Sequence, residues 1–294
     1  MDEKDIKSLV AILIIIFIAA CLALIGSQGG VTVLDGIPVF AFGVAIAFII
    51  QWIAFIPAYI KRTEKFFDLT GFLTYSIVII LSVVLSPEIN TRSILLMLLV
   101  LIWAIRLGIF LFQRILKEGK DKRFKEIKQN AYHFLLAWTL QGLWVSFTLA
   151  AALAAITAGQ NEEFDIFGLI GLLVWISGFG FEAIADYQKS KFKSKSENKG
   201  KFIASGLWSI SRHPNYFGEI ILWIGIAVIA LPTLQGWRWM TLISPVFVTL
   251  LLTRVSGIPL LEKHADEKWG GQEEYEQYKK KTPVLIPRPF LLKK

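Results

Sequence analysis

The sequence predicts an all-α, polytopic integral membrane bundle of seven to eight transmembrane helices with no Rossmann domain. Three observations predict it. The 294 residues are 55% hydrophobic and only 18% charged, where a soluble domain carries about 25% charged residues. The apolar residues gather in blocks of about 20, the length a helix needs to cross a hydrocarbon core about 30 Å thick. The lysines and arginines lie between those blocks and favour alternate connections.

Eight blocks are long enough, at about 8–27, 37–60, 70–87, 93–113, 132–158, 164–187, 215–233 and 237–261. The first follows a leader of mixed charge, MDEKDIK, and no small-x-small cleavage site succeeds it, so it reads as a span and not as a signal peptide. Glycine and proline inside several blocks are tolerated where neighbouring helices satisfy the freed backbone. Glu64 and Asp68 precede the third block and share one face if that segment is helical. The fourth carries Arg106. The sixth closes with Glu182 and Asp186, again four apart. The seventh opens with RHPNYFGE, and the eighth holds Arg254 and exits at Glu262. With the N-terminus inside, 27 of the 31 lysines and arginines fall on cytoplasmic segments, against Arg92 and Arg238 outside. This is the positive-inside pattern, with both termini cytoplasmic.

The formal charge of +8 sits between apolar blocks and not on a folded patch, so it marks topology and lipid contact, with no nucleic acid partner. One cysteine, Cys21, excludes a disulfide framework and a cysteine-based zinc site. The three histidines are widely separated, so no metal site is expected from them, and one built from carboxylates stays open. The polar connection 188–214, with KSKFKSKSENKGKF, reads either as a basic loop against the lipid surface or as a clamp for a phosphate-bearing ligand.

Ionisable side chains inside spans are costly and tend to face the bundle interior. Here they all lie in the cytoplasmic halves, which points to one inward-facing polar pocket. RHPNYFGE is the densest signal. Pro214 suits the first helical turn. The N–H groups that follow, with Arg212, suit a phosphate or carboxylate. Asn215 and Glu219 stand one turn apart and present amide and carboxylate together, while His213 and Tyr216 can bond or stack. The alternative is a well-capped helix with an interfacial aromatic anchor. The glycine-rich GFGFEA (178–183) lies inside a span, the wrong context for a dinucleotide fingerprint.

From about residue 60 onward the chain resembles the membrane steroid 5-alpha-reductase superfamily, in particular its bacterial branch of unknown function. The resemblance rests on EKFFDLTGFLTY (64–75), RLGIFLFQRILKEGKDKRF (106–124), FEAIADYQKSKFK (181–193), SGLWSISRHPNYFGE (205–219), SGIPLLE (256–262) and the tail YEQYKKKTPVLIP. It implies N-terminal helices over 1–60 and a reductase-like domain over 61–294. It implies an enzyme of the bacterial inner membrane that uses NADPH to reduce a lipid-soluble substrate. Carried over by motif, Asp186, Lys193, Lys201, Asn215, Glu219 and Arg254 fall at cofactor-contacting positions. Arg114, Asp121 and Arg123 resemble a loop that meets the phosphates. Arg106, Trp208, Arg212, His213, Tyr216 and Glu262 complete the expected cofactor set. Lysine stands at 193 and 201 where animal steroid reductases use arginine, which removes bidentate contacts there. On the substrate side the family's glutamate position falls near Asp68, with Glu64 as second choice, and its tyrosine position falls at Trp103. Tryptophan offers only an N–H donor, which makes Tyr75 a replacement acid.

The implied reaction is hydride delivery to the β-carbon of a hydrophobic enone, such as a 3-oxo-4-ene steroid, with an acid stabilising the enolate oxygen. A methyltransferase of the isoprenylcysteine carboxyl type, using S-adenosylmethionine, is the alternative, because it shares the RHPNY tail. A non-catalytic lipid-binding protein is the second.

Overall fold

The computed structural model describes residues 2–34, 36–118, 124–159 and 164–288, with backbone only for 114–118. The helices are α1 (Glu3–Ser27), α2 (Val39–Ile60), α3 (Phe67–Val84), α4 (Thr91–Glu118), α5 (Phe124–Ile127), α6 (Ala131–Ile156), α7 (Ile166–Ser194), α8 (Pro214–Ala230), α9 (Ile243–Leu250), α10 (Ile258–Trp269) and α11 (Glu273–Lys281). Among the described residues eight helices are long and apolar enough to cross a membrane. The protein is thus a polytopic helical membrane bundle. The sheet is one two-residue hairpin, β1 (Thr32–Val33) with β2 (Ile37–Pro38), so the described chain has no Rossmann domain. The eighth span is composite. A 3-10 segment (Gly236–Leu242), α9, a π-helical turn (Leu251–Val255) and α10 follow one another through it.

The chain forms two compact units, one of residues 1–168 with 229–244, the other of 169–228 with 245–294. In the first unit α6 is the most enclosed span. Its run LAAALAAI, 149–156, is fully buried, because alanine lets neighbouring helices approach closely and every backbone polar group is satisfied within the helix. Hydrogen bonds stitch the spans. Gln51 Nε2 donates to Thr74 Oγ1 at 2.7 Å and Trp52 Nε1 to Thr139 Oγ1 at 3.1 Å.

One end of this unit gathers the start of α1, the 61–66 connection and 124–130. Asp2 and Asp5 form a capping box on α1. Asn130 caps α6 by accepting from Tyr132 N and His133 N, and donates to Asp5 Oδ1 at 2.7 Å. Glu64 is buried and ion-paired with Lys128 Nζ at 2.6 Å. Below this pair Phe67 packs on Phe124 and Trp138, with centroids 4.8 and 5.0 Å apart. Helix α3 begins at Phe67, so Glu64 precedes it and does not share a helical face with Asp68.

The opposite end holds the two arginines that stood apart from the loop-charge pattern. Both are buried. Arg92 Nη1 donates to Ile229 O at 2.6 Å and its Nη2 meets Asp165 Oδ1 at 3.1 Å. Arg238 Nε donates to Gly26 O at 3.2 Å and Nη2 to Thr157 Oγ1 at 3.1 Å. Each guanidinium satisfies a carbonyl in the last turn of a helix, where the chain leaves acceptors unpaired and the dipole favours a cation. Replacing Arg238 by leucine strands Gly26 O and should destabilise the protein by about 2 kcal/mol. A drop of several degrees in the thermal midpoint of detergent-purified protein checks this.

Candidate functional site

The second unit is organised by the way α7 meets α8. A Cβ added at Gly218 would lie 2.5 Å from both Gly178 O and Glu182 N, and one at Gly178 would lie 2.6 Å from Gly218 O. Gly225 makes the same approach to Gly171 O and Trp175 N about two helical turns further on. The backbones therefore touch, and they run antiparallel. Gly178, the first glycine of the GFGFEA that mismatches a dinucleotide fingerprint, serves this contact, while Gly180 has open space beside it.

The contact carries Asp186, near the end of α7, to the first turn of α8, where Asn215 Nδ2 donates to Asp186 Oδ1 at 3.2 Å. Glu182 and Glu219 are buried beside it, at 2% and 9% exposure. Trp208 locks the connection between the two helices. It is buried, and its Nε1 donates to Ala185 O at 3.0 Å. Lys189 Nζ lies 4.5 Å from its ring centroid. Tyr278 of α11 donates to Trp208 O at 2.7 Å. The C-terminal tail laces the same segment, with Arg212 N donating to Pro283 O and Ser211 Oγ to Leu285 O.

Glu262 of α10 closes the cluster. Its two oxygens meet Arg212 Nη1 at 2.6 Å and His213 Nε2 at 2.7 Å. The His213 ring stacks on Tyr216, with centroids 5.7 Å apart and planes 10° off parallel. Burial pushes the His213 imidazole below its ordinary range, and the attraction of Glu262 opposes this without reversing it. A neutral ring that donates through Nε2 leaves Nδ1 as an acceptor. Nδ1 and the Nε of Arg212 are enclosed with no partner among the described residues. Burial also raises the Tyr278 hydroxyl, which stays protonated.

The structure thus unites Asp186, Trp208, Arg212, His213, Asn215, Tyr216 and Glu262, with Glu219 one turn along α8. Lys193 and Lys201 are exposed, and Arg254 is exposed on the π-helical turn. In the first unit Tyr75 and Trp103 pack edge to face, with centroids 5.1 Å apart, both buried. Asp68 is half-buried in the first turn of α3 and Arg106 half-buried in α4. The side chain of Arg114, and Asp121 and Arg123, lie outside the described residues. Among the described residues no cluster of three metal-ligating side chains occurs. Tyr278 escaped the sequence reading of site residues. Its signal, an aromatic inside YEQYKKKTPVLIP, was in view, but no spacing connects it to Trp208.

The profile of the family described as "Protein of unknown function (DUF1295)" matches residues 54–282, most of the chain. The chain belongs to that family. Among curated proteins this DUF1295 member is 25% identical over 192 residues to the Delta(14)-sterol reductase of Methylotuvimicrobium alcaliphilum, covering 56% of this chain and 40% of the relative. It is 29% identical over 129 residues to the steroid 5-alpha-reductase DET2 of Gossypium hirsutum, 44% of this chain and 45% of the relative. It is also 30% identical over 127 residues to a probable O-methyltransferase, ustE, of Ustilaginoidea virens, 36% and 45%. The chain therefore spans less than half the length of the curated relatives it matches. The family match and the likeness to the sterol and steroid reductases bear out the resemblance to the steroid 5-alpha-reductase superfamily. No solved structure matches this DUF1295 chain.

Two outcomes follow from the geometry. Gly218→Ala drives a methyl group into the α7 backbone, where no flexible side chain can yield, at a cost of about 1–3 kcal/mol. Its thermal midpoint should fall, and Trp208 emission should report a loosened connection. His213 titrates lower folded than unfolded. The unfolded chain therefore takes the proton first as pH drops below 6.5, so stability is full above that pH and is lost through the acid side. Midpoints measured from pH 7.5 to 5 should fall more steeply in the native protein than in His213→Gln.

Proposed function

We propose that this chain is a membrane oxidoreductase that reduces a carbon–carbon double bond of a steroid- or sterol-like lipid, with NADPH as the reductant. The observation that carries the proposal is the enclosed cluster on α7, α8 and α10. It holds buried, unpartnered donor and acceptor atoms on the very motif through which the chain resembles the reductases. The donor set suits a dinucleotide. Arg212 and the first amides of α8 suit phosphate oxygens, and the exposed Lys193 and Lys201 are point charges for the same polyanion. Asp186 and Glu219 suit ribose hydroxyls or the carboxamide, and Asn215 serves both with its two-sided amide. NADPH, when bound, supplies a hydride.

The chain's own residues bind, orient and hold a proton. Glu262 keeps Arg212 and His213 in one arrangement, so their free atoms are fixed before a ligand arrives, which lowers the ordering cost of binding. For a 3-oxo-4-ene enone, charge develops on the carbonyl oxygen, and a donor aimed there stabilises it. Asp68 is the proposed donor, with Tyr75, held by Trp103, as the alternative O–H. Glu64 is engaged by Lys128 and is the weaker choice. A water-soluble polyanion and a lipid-soluble substrate call for a cluster at a membrane boundary. The loop charges favour the cytoplasmic boundary of a bacterial inner membrane, with both termini on that side.

Likeness to a probable O-methyltransferase favours a second reading, in which the same cluster takes S-adenosylmethionine. Binding separates the two. NADPH should raise the thermal midpoint of the purified chain and quench its tryptophans, and S-adenosylmethionine should do neither. Asn215→Ala should weaken NADPH by roughly tenfold, the value of one hydrogen bond to a charged or strongly polar partner. Addition of a 3-oxo-4-ene steroid or another hydrophobic enone should then oxidise NADPH. Stabilisation by S-adenosylmethionine alone would overturn the reductase reading.

A further inference from the structure

One face of α7 changes character along its length. Within the second unit its exposed side chains recur at Leu169, Leu173, Ile176, Ile184 and Tyr187. These are the three- and four-residue steps, or their multiple, that mark one helical stripe. The stripe is apolar as far as Ile184 and aromatic at Tyr187, which is 61% exposed. It becomes cationic at Lys191, whose Nζ lies 5.5 Å from the Tyr187 ring centroid. Lys195 follows directly after the end of α7 and Lys199 follows the single 3-10 turn 196–198 beyond it; both are exposed, Lys195 beside Glu197 at 3.3 Å. Acyl chain, interface and headgroup follow one another along a bilayer normal in the same order, and aromatic rings and long cationic side chains seek the last two levels.

The cluster described above uses another face. Asp186 meets Asn215 and Lys189 lies over Trp208. Lys191 is two residues from both Lys189 and Lys193, about 200° around the helix, so α7 sorts its lysines to two sides. Between 189 and 201 the chain holds six lysines and one glutamate, immediately beyond a membrane span. A zwitterionic surface offers such a segment no net charge, whereas an anionic one does.

We propose that Tyr187, Lys191, Lys195 and Lys199 form a contact surface for the headgroups of anionic phospholipid, separate from the cluster that takes the cofactor. Each lysine near such a surface is worth about fivefold in binding, and the effect falls with ionic strength.

Native mass spectrometry of the full chain, titrated with phosphatidylglycerol or with phosphatidylcholine of the same acyl chains, tests this. The unaltered protein should take up phosphatidylglycerol preferentially, and less so in high salt. K191Q/K195Q/K199Q should lose roughly tenfold or more of phosphatidylglycerol affinity and keep its phosphatidylcholine binding. K263Q/K268Q should behave as the unaltered protein. Thermal midpoints in lipid-free detergent should agree across all three, and K191Q alone serves if the triple variant is unstable. Equal binding of the two lipids overturns the proposal, as does a triple variant that keeps the preference. Displacement of phosphatidylglycerol by millimolar inorganic phosphate would mark a free-anion site and overturn it as well.

Discussion

The arrangement of the second unit depends on a backbone contact between α7 and α8 at Gly178 and Gly218. In lipid, apolar side chains gain nothing by leaving water, so helices associate through close packing and polar contacts. Two glycines facing each other remove the side chains that would hold the axes apart. The benefit appears eight residues along α7, where Asp186 meets Asn215 in a region that no longer has to be apolar. A wider crossing would leave that amide and carboxylate separated, Trp208 without its carbonyl at Ala185, and the 205–213 connection without an anchor. Packing near the middle of the spans thus sets hydrogen-bond geometry at their ends.

A second constraint is electrostatic. Glu262 is one carboxylate with two nitrogen partners. A buried ion pair is weak support for stability, because desolvation offsets much of the attraction. What the pair contributes here is orientation. Arg212 is held by one Nη, which leaves Nε pointing elsewhere. His213 is held by Nε2, which fixes the tautomer and leaves Nδ1 as an acceptor. Burial keeps the ring neutral, so it adds no second positive charge next to the guanidinium. The lacing of the C-terminal tail along 209–212, and Tyr278 on Trp208, hold the backbone from which both side chains project.

The spans were legible because hydrocarbon thickness imposes a length, and all eight apolar blocks became helices. The backbone of the eighth was not legible. Its apolar run is continuous, yet the backbone changes from 3-10 to α to π, a matter of local hydrogen-bond register that hydropathy does not record. The RHPNYFGE cluster was legible in composition, and its pairings were not. Asp186 lies 29 residues from Asn215 and Glu262 lies 49 from His213, distances over which no periodicity speaks. Glu64 misled for a related reason. Its four-residue spacing from Asp68 suggests a shared face, but the helix starts after it, and a lysine 64 residues away claims the carboxylate.

Charge placement explains a feature that the loop count left as an exception. Arg92 and Arg238 sit at the end of the first unit where the chain otherwise carries few cations. Both are buried, and both spend their donors on helix-terminal carbonyls and nearby oxygens. A guanidinium used this way is a cap, and its charge is matched by the negative end of a helix dipole and, for Arg92, by Asp165. At the other end of the same unit, Lys61 and Lys65 stay exposed while Lys128 bonds to Glu64. The lysines of 189–201 in the second unit are likewise mostly at the surface. Within the first unit the charge left at the surface is therefore more one-sided than the sequence count, because the exceptions have been withdrawn into the fold.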